Sequence, residues 1–262
     1  RNRSRCRATS DANTAIFSVV DAVLLRPFGF PQSERLAVVW ETTPRGEADL
    51  AAAATFGADA VLLPKVEDAD AIRRVESILN ANGAPRDLPI WCMIETPLGV
   101  LHAERIAFAS PRVGGLVMGT SDLAKDLNAA HTRDRLPMLT SLGLCVLAAR
   151  AAGIAILDGV HLDLNDDEGF KYACRQGREL GFDGKTLIHP KTVDAANEAF
   201  APGEADIAWA TKIIAAHAEA QREGKGVVVV DGRLIENLHV EAAKRQVALA
   251  EAIAAMTAEA KG

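Results

Sequence analysis

From about residue 50 onward the apolar positions follow two alternating rhythms. Short continuous apolar runs end at Val66, Glu95, Thr120, Val160 and Pro190, and each has the length and composition of a buried strand. Between them apolar residues recur at helical spacing over Ala48–Phe56, Asp68–Asn80, Gly99–Ala109, Leu136–Ala152 and Asp167–Leu180. Two more helical stretches, Gly203–Arg222 and His239–Ala258, flank a short strand and turn at Gly226–Gly232. Strands alternating with helices in this way indicate βα units and a parallel sheet. The predicted class is α/β, a TIM-type (β/α) barrel followed by a C-terminal helical lid. Five strands are read near residues 60, 90, 115, 155 and 185, and a closed barrel asks for three more. The 59 residues ahead of the first are tight for three units of roughly 30 residues each, so the barrel reads as N-terminally incomplete. Leu36–Trp40 is a further candidate strand.

Two of the runs stop at a carboxylate, Glu95 before Thr-Pro-Leu-Gly99 and Asp122 before Leu123. Parallel barrels place their reacting groups at such carboxyl-terminal strand ends. Two acids meeting there suit a hard divalent cation such as Mg2+, which takes oxygen ligands and keeps positions open for substrate. The alternative for each acid is to cap the helix that follows. Backbone N–H groups at Ser121 and Asp122, at a helix start, would favour a bound carboxylate. Lys65 and Glu67 read as either structural or catalytic, and Asp158 as support for the site from a neighbouring strand end. Arg133 and Arg135 read as solvated charge on the loop after Asp122.

The remaining composition narrows the class by exclusion. A net charge of −6 and only 5% aromatic residues argue against a nucleic-acid binder. Cys6, Cys92, Cys145 and Cys174 have no metal-binding spacing and read as reduced thiols of a cytoplasmic protein. No stretch approaches the length of about 20 apolar residues that spans a bilayer, so no membrane partner is expected.

The segments Ala60-VLLPKVED, Ile94-ETPLGV, Gly115-LVMGTSDL, Gly181-FDGKTLIHP and Asp231-GRLIENLHV stand in an order that resembles the HpcH/HpaI aldolase and citrate lyase β-subunit superfamily. The resemblance covers residues 43–262 and is strongest to the CoA-ester lyase branch, the citryl-, malyl- and citramalyl-CoA lyases. It implies Mg2+ held by Glu95 and Asp122, with a CoA thioester as substrate. It also implies a retro-Claisen or retro-aldol cleavage of a 3-hydroxyacyl-CoA to an acyl-CoA and a 2-oxo acid. Glu236 then takes the place of the acid/base group on the C-terminal lid, where the family often has aspartate; a helix cap is its other reading. Ser121 and His189 border the substrate, and Gly184 and Lys185 approach the CoA phosphates, with a hydrogen-bonded structural histidine as the alternative for His189. A lid that reaches a neighbouring subunit implies a homo-oligomer, a trimer or hexamer. The aldolase branch, which cleaves 2-oxo acids without CoA, is the other enzymatic reading.

Residues 1–42 depart from the family pattern. Ala12–Glu41 resembles the start of the periplasmic core of FtsX/MacB-like ABC transporter permeases, with a junction near Glu41 to Pro44. A targeting segment is the other reading of the basic start, which lacks a clean hydrophobic core and cleavage site. The expected organisation is a foreign segment over 1–42, the barrel part over 43–222 and the lid over 223–262. A catalytically inactive chimeric fragment is the non-enzymatic alternative.

Overall fold

The apolar runs pair into one six-stranded sheet made of β1 (Leu36–Val38), β2 (Ala60–Leu63), β3 (Ile90–Ile94), β4 (Val113–Met118), β5 (Ala155–Asp158) and β6 (Gly184–Lys185). The computed structural model describes residues 36–38, 44–55, 58–222, 224 and 227–259. All five pairings are parallel, and the spatial order of the strands follows the chain. Among the described residues β1 and β6 each pair on one side only.

β2, β3 and β4 are apolar throughout because both of their faces are covered. Val61, Leu63, Ile90, Cys92, Ile94, Leu116, Met118 and Ile156 face the helices and form the main core. Their alternating neighbours Ala60, Leu62, Trp91, Val117 and Leu157 form a second cluster on the opposite face. Gly115 belongs to this arrangement, since a Cβ there would stand 2.8 Å from the Trp91 ring. Any side chain at 115 would displace the indole packed on that face of the sheet.

The crossover helices are delimited by local chemistry. After α1 (Pro44–Thr55), α2 (Ala69–Ala81) starts at Asp68, whose carboxylate accepts the Ala71 N–H at 2.7 Å. Ile72, Val75 and Leu79 put its apolar stripe in the core. The helix expected over Gly99–Ala109 divides into α3 (Pro97–Leu101) and α4 (Ala103–Ala107). His102 stands at the break, its Nδ1 held 2.8 Å from the Glu67 carbonyl oxygen. α5 (Thr120–Asp126) follows β4, and a 3-10 turn at Leu136–Met138 leads into α6 (Leu139–Ala152). α7 (Asp167–Leu180) is capped by Asp166 and ends at Gly181 in a left-handed conformation. α8 spans Val193–Phe200.

Two expectations are corrected in length. The last strand is two residues rather than Lys185–Pro190. Thr186 still donates its N–H and hydroxyl to the Asp158 carbonyl, but the chain then turns into the 3-10 turn Pro190–Thr192. The turn at Gly226–Gly232 continues into a second strand, so β7 (Val228–Val230) and β8 (Arg233–Ile235) form an antiparallel hairpin. Its two turn residues, Asp231 and Gly232, both have positive φ, as a tight hairpin turn requires.

The chain divides into two compact units, 1–200 and 201–262. In the second unit α9 (Glu204–Arg222), the hairpin and α10 (Asn237–Glu259) share a core of Ala210, Ile213, Val230, Ile235, Val240 and Ala243. The helix assigned from sequence to the end of the barrel part therefore packs with the tail. β1 lies inside the segment expected to be foreign and pairs Leu36 with Ala60. The other residues of 1–42 lie outside the described residues. No helix among the described residues is long and apolar enough to cross a membrane.

Candidate active site

Glu95 follows the last residue of β3 and Asp122 lies in the first turn of α5, just after β4. Neither caps a helix. Thr96 caps α3, its hydroxyl accepting the Gly99 N–H at 3.1 Å. Gly119 is the cap residue of α5, with no side-chain bond. Strand parity turns Glu95 to the same face as Trp91 and Met93.

Glu95 is 5% exposed. Its Oε1 accepts the Lys65 backbone N–H at 2.8 Å, from a Lys65 held at φ 49°. Burial pushes the Glu95 carboxyl up to about 7, the Lys65 N–H opposes this, and the hydrogen-bonded Asp122 carboxylate adds to it. Gly119 permits the approach, because a Cβ there would lie 2.3 Å from Glu95 Cβ. Two carboxylates in contact at neutral pH are a donor set that a divalent cation relieves. No cluster of three or more His, Cys, Asp or Glu residues that could hold an ion occurs among the described residues.

The other sequence-predicted residues are distributed more widely. Ser121 is half-buried beside Asp122 on α5. His189 is exposed, and its Nδ1 accepts the Lys191 N–H at 3.1 Å, which caps the 3-10 turn. Glu236 belongs to the second unit, is exposed, and precedes α10; its carbonyl accepts the His239 N–H.

A second charged cluster gathers Asp158 with two cations, of which the sequence marks only Asp158 at its strand end. Asp158 is fully buried at the end of β5 and binds two cations. Lys185 Nζ, 1% exposed, donates to Oδ2 at 2.9 Å, and Arg135 Nη1 donates to both carboxylate oxygens at 2.7 Å. Arg135 is thus no solvated charge. Its Nε also donates to Gln176 on α7, and its backbone is left-handed with φ 56°. Lys185, expected near the CoA phosphates, is instead committed to Asp158. Burial pushes the Asp158 carboxyl up, but Lys185 and Arg135 outweigh burial and hold it below the usual carboxylate range. Beside the cluster is a cavity of about 330 Å³, lined by Thr120, Arg135, His161, Gly169, Ala173 and Lys185 among others. Glu95 and Asp122 do not line it.

Charged side chains gathered at the carboxyl ends of consecutive parallel strands define an α/β protein of the kind that binds ligands at that edge. The family model for HpcH/HpaI aldolase/citrate lyase matches residues 9–190, and the chain belongs to this enzyme family. The match opens within the segment set apart as foreign, and the permease resemblance has no support. Among curated relatives, a (3S)-malyl-CoA thioesterase of Cereibacter sphaeroides is 50% identical over 216 residues, 82% of this chain and 73% of that protein. A citrate lyase subunit beta of Leuconostoc mesenteroides is 36% identical over 80% of this chain and 71% of that protein. Among solved structures, CitE of Mycobacterium tuberculosis in complex with magnesium, acetoacetate and coenzyme A has a TM-score of 0.67 at 27% identity, over 87% of this chain and 82% of that one. A citrate lyase of Burkholderia xenovorans has a TM-score of 0.72 at 19% identity, over 94% of this chain and 80% of that one, a likeness of fold alone.

Proposed function

We propose that the chain is a Mg2+-dependent carbon–carbon lyase for a 3-hydroxyacyl-CoA of the malyl-, citramalyl- or citryl-CoA type. The observation that carries the reading is the Glu95–Asp122 pair, two contacting carboxylates at adjacent strand ends with Glu95 raised to about 7. Glu95 and Asp122 hold the ion, and the Lys65 N–H fixes which Glu95 oxygen is left for it. Bound there, Mg2+ supplies Lewis acidity to the oxygens of the 2-oxo acid. Ser121 and His189 contact the substrate, and Glu236, on a lid that serves a neighbouring subunit's site, handles the α-proton of the thioester there. The sequential parallel order and the inner cluster around Trp91 support a (β/α) barrel as the host fold. In this reading the enzyme is a cytoplasmic homo-oligomer.

Hydrolysis of the thioester is the second reading, favoured by the 50% identical relative named a malyl-CoA thioesterase. Calorimetric titration with Mg2+, with and without glyoxylate or pyruvate, tests the site. Tighter binding with the oxo acid, weakened at least tenfold by Glu95→Gln, is expected; affinity unchanged in that variant refutes the assignment. With (3S)-malyl-CoA as substrate, release of glyoxylate marks the lyase, and free CoA thiol without glyoxylate marks the hydrolase.

A further inference from the structure

The buried cluster around Asp158 is not charge-balanced. One carboxylate faces one ammonium and one guanidinium, so an excess positive charge sits at the wall of the cavity. Arg135 Nη2 is buried with no hydrogen-bond partner, although Nη1 and Nε are both used. His161 Nε2 is likewise buried without a partner, its ring set edge-on to Phe170 with centroids 6.0 Å apart. A polar atom left in this way costs about 1–3 kcal/mol, and more on a charged group. Two such atoms on one cavity, beside a buried cluster with one more cation than carboxylate, mark a place for an acceptor.

We infer that this cavity is an oxyanion subsite in which Arg135 Nη2 and His161 Nε2 receive a carboxylate, while Asp158 positions Arg135. A carboxylate fits better than a phosphate. The Asp158 cluster carries one excess positive charge, the further cation Arg133 shares the lining with Asp163 and Asp166, and burial with the Lys185 charge keeps His161 below its usual range. Asp166 and Asp163 are themselves occupied by the N–H groups of Gly169 and Asn165. Glu95 and Asp122 are not among the residues that line the subsite, and its anion binding requires neither Mg2+ nor the proposed reaction.

The test is titration of the full chain with succinate in the absence of Mg2+, with inorganic phosphate as comparator. Calorimetry gives the affinity, and ¹⁵N NMR of the histidine rings reports the contact. The expected result is succinate binding stronger than phosphate binding, with a shift of the His161 Nε2 resonance. Glu95→Gln leaves it intact, Arg135→Met weakens it at least about tenfold, and His161→Phe weakens it about fivefold at unchanged Tm. His161→Gln, which keeps a donor, restores most of the affinity. If Arg135→Met does not fold, the His161 pair decides. Absence of binding by the wild type overturns the inference. So does affinity unchanged in His161→Phe, or binding lost in Glu95→Gln. Phosphate binding tighter than succinate overturns the carboxylate assignment.

Discussion

The Glu95–Asp122 pair and the Asp158–Lys185–Arg135 cluster occupy the same edge of one sheet with opposite charge balance. The first has two carboxylates in contact, and Glu95 is driven up to about 7. The second has two cations on one carboxylate, and Asp158 is driven down despite complete burial. Burial acts in the same direction on both acids, so the difference comes from the neighbours. One region is short of positive charge and the other has a surplus, and the sheet holds both within a few residues of its strand ends.

The largest effect that separates the two regions is expected at Asp158. Asp158→Asn leaves Lys185 and Arg135 buried without a counter-charge and should cost about 3–5 kcal/mol in urea unfolding. The corresponding Glu95→Gln change removes a repulsion, and the metal-free variant should be no less stable than wild type at pH 8. An equal loss in both variants would erase the contrast.

Gly119→Ala comes next. Its Cβ would lie 2.3 Å from Glu95 Cβ and 2.6 Å from Oε2, so the carboxylate or backbone must move. A cost of about 1–3 kcal/mol is expected, together with loss of Mg2+ binding in calorimetry. Succinate binding to the other region should survive.

The pH dependence sharpens the same comparison. Glu95 is raised in the folded state, from 4.5 to about 7, so its protonated form is favoured by folding. Its contribution is fully present below about pH 4.5, declines between pH 4.5 and 7, and is absent above that. Metal-free wild type should therefore lose roughly 1–2 kcal/mol relative to Glu95→Gln between pH 5 and 8, after discounting for solvent screening. Saturating Mg2+ should remove the loss. Asp158 works the other way, since its depressed carboxyl contributes stability above the ordinary carboxylate range that is lost only in acid. Thr96→Ala is the smallest change, about 1 kcal/mol for a lost helix cap, with Mg2+ affinity nearly unchanged. A large drop in affinity would make Thr96 part of the ion site.

The sequence exposed one region and hid the other for a physical reason. Glu95 and Asp122 each interrupt the end of an apolar run, so their place at the sheet edge follows from periodicity. The strand set was legible in the same way, as was Asp158 at its strand end. Arg135 was not, because Arg133-Asp-Arg135 looks like any solvated loop. Its burial depends on Asp158, 23 residues away, and on Gln176, 41 residues away. The available signal lay in Lys185, a charged residue at the head of the strand run Lys-Thr-Leu-Ile, which required a buried partner. The brevity of β6 was hidden too, since the apolar Leu187 packs with α7 and α8 residues rather than in the ladder.

The indole packed against Gly115 has a use in the laboratory. Trp91 is 4% exposed in the first unit, whereas Trp209 in the second is half-buried beneath the Arg233 guanidinium, 5.4 Å from its ring centroid. In a Trp40→Phe background each compact unit carries its own fluorophore, a dry one emitting to the blue and a wetter one to the red. A single denaturant titration then follows the sheet and the tail separately, and two midpoints or one state whether the units melt independently or together.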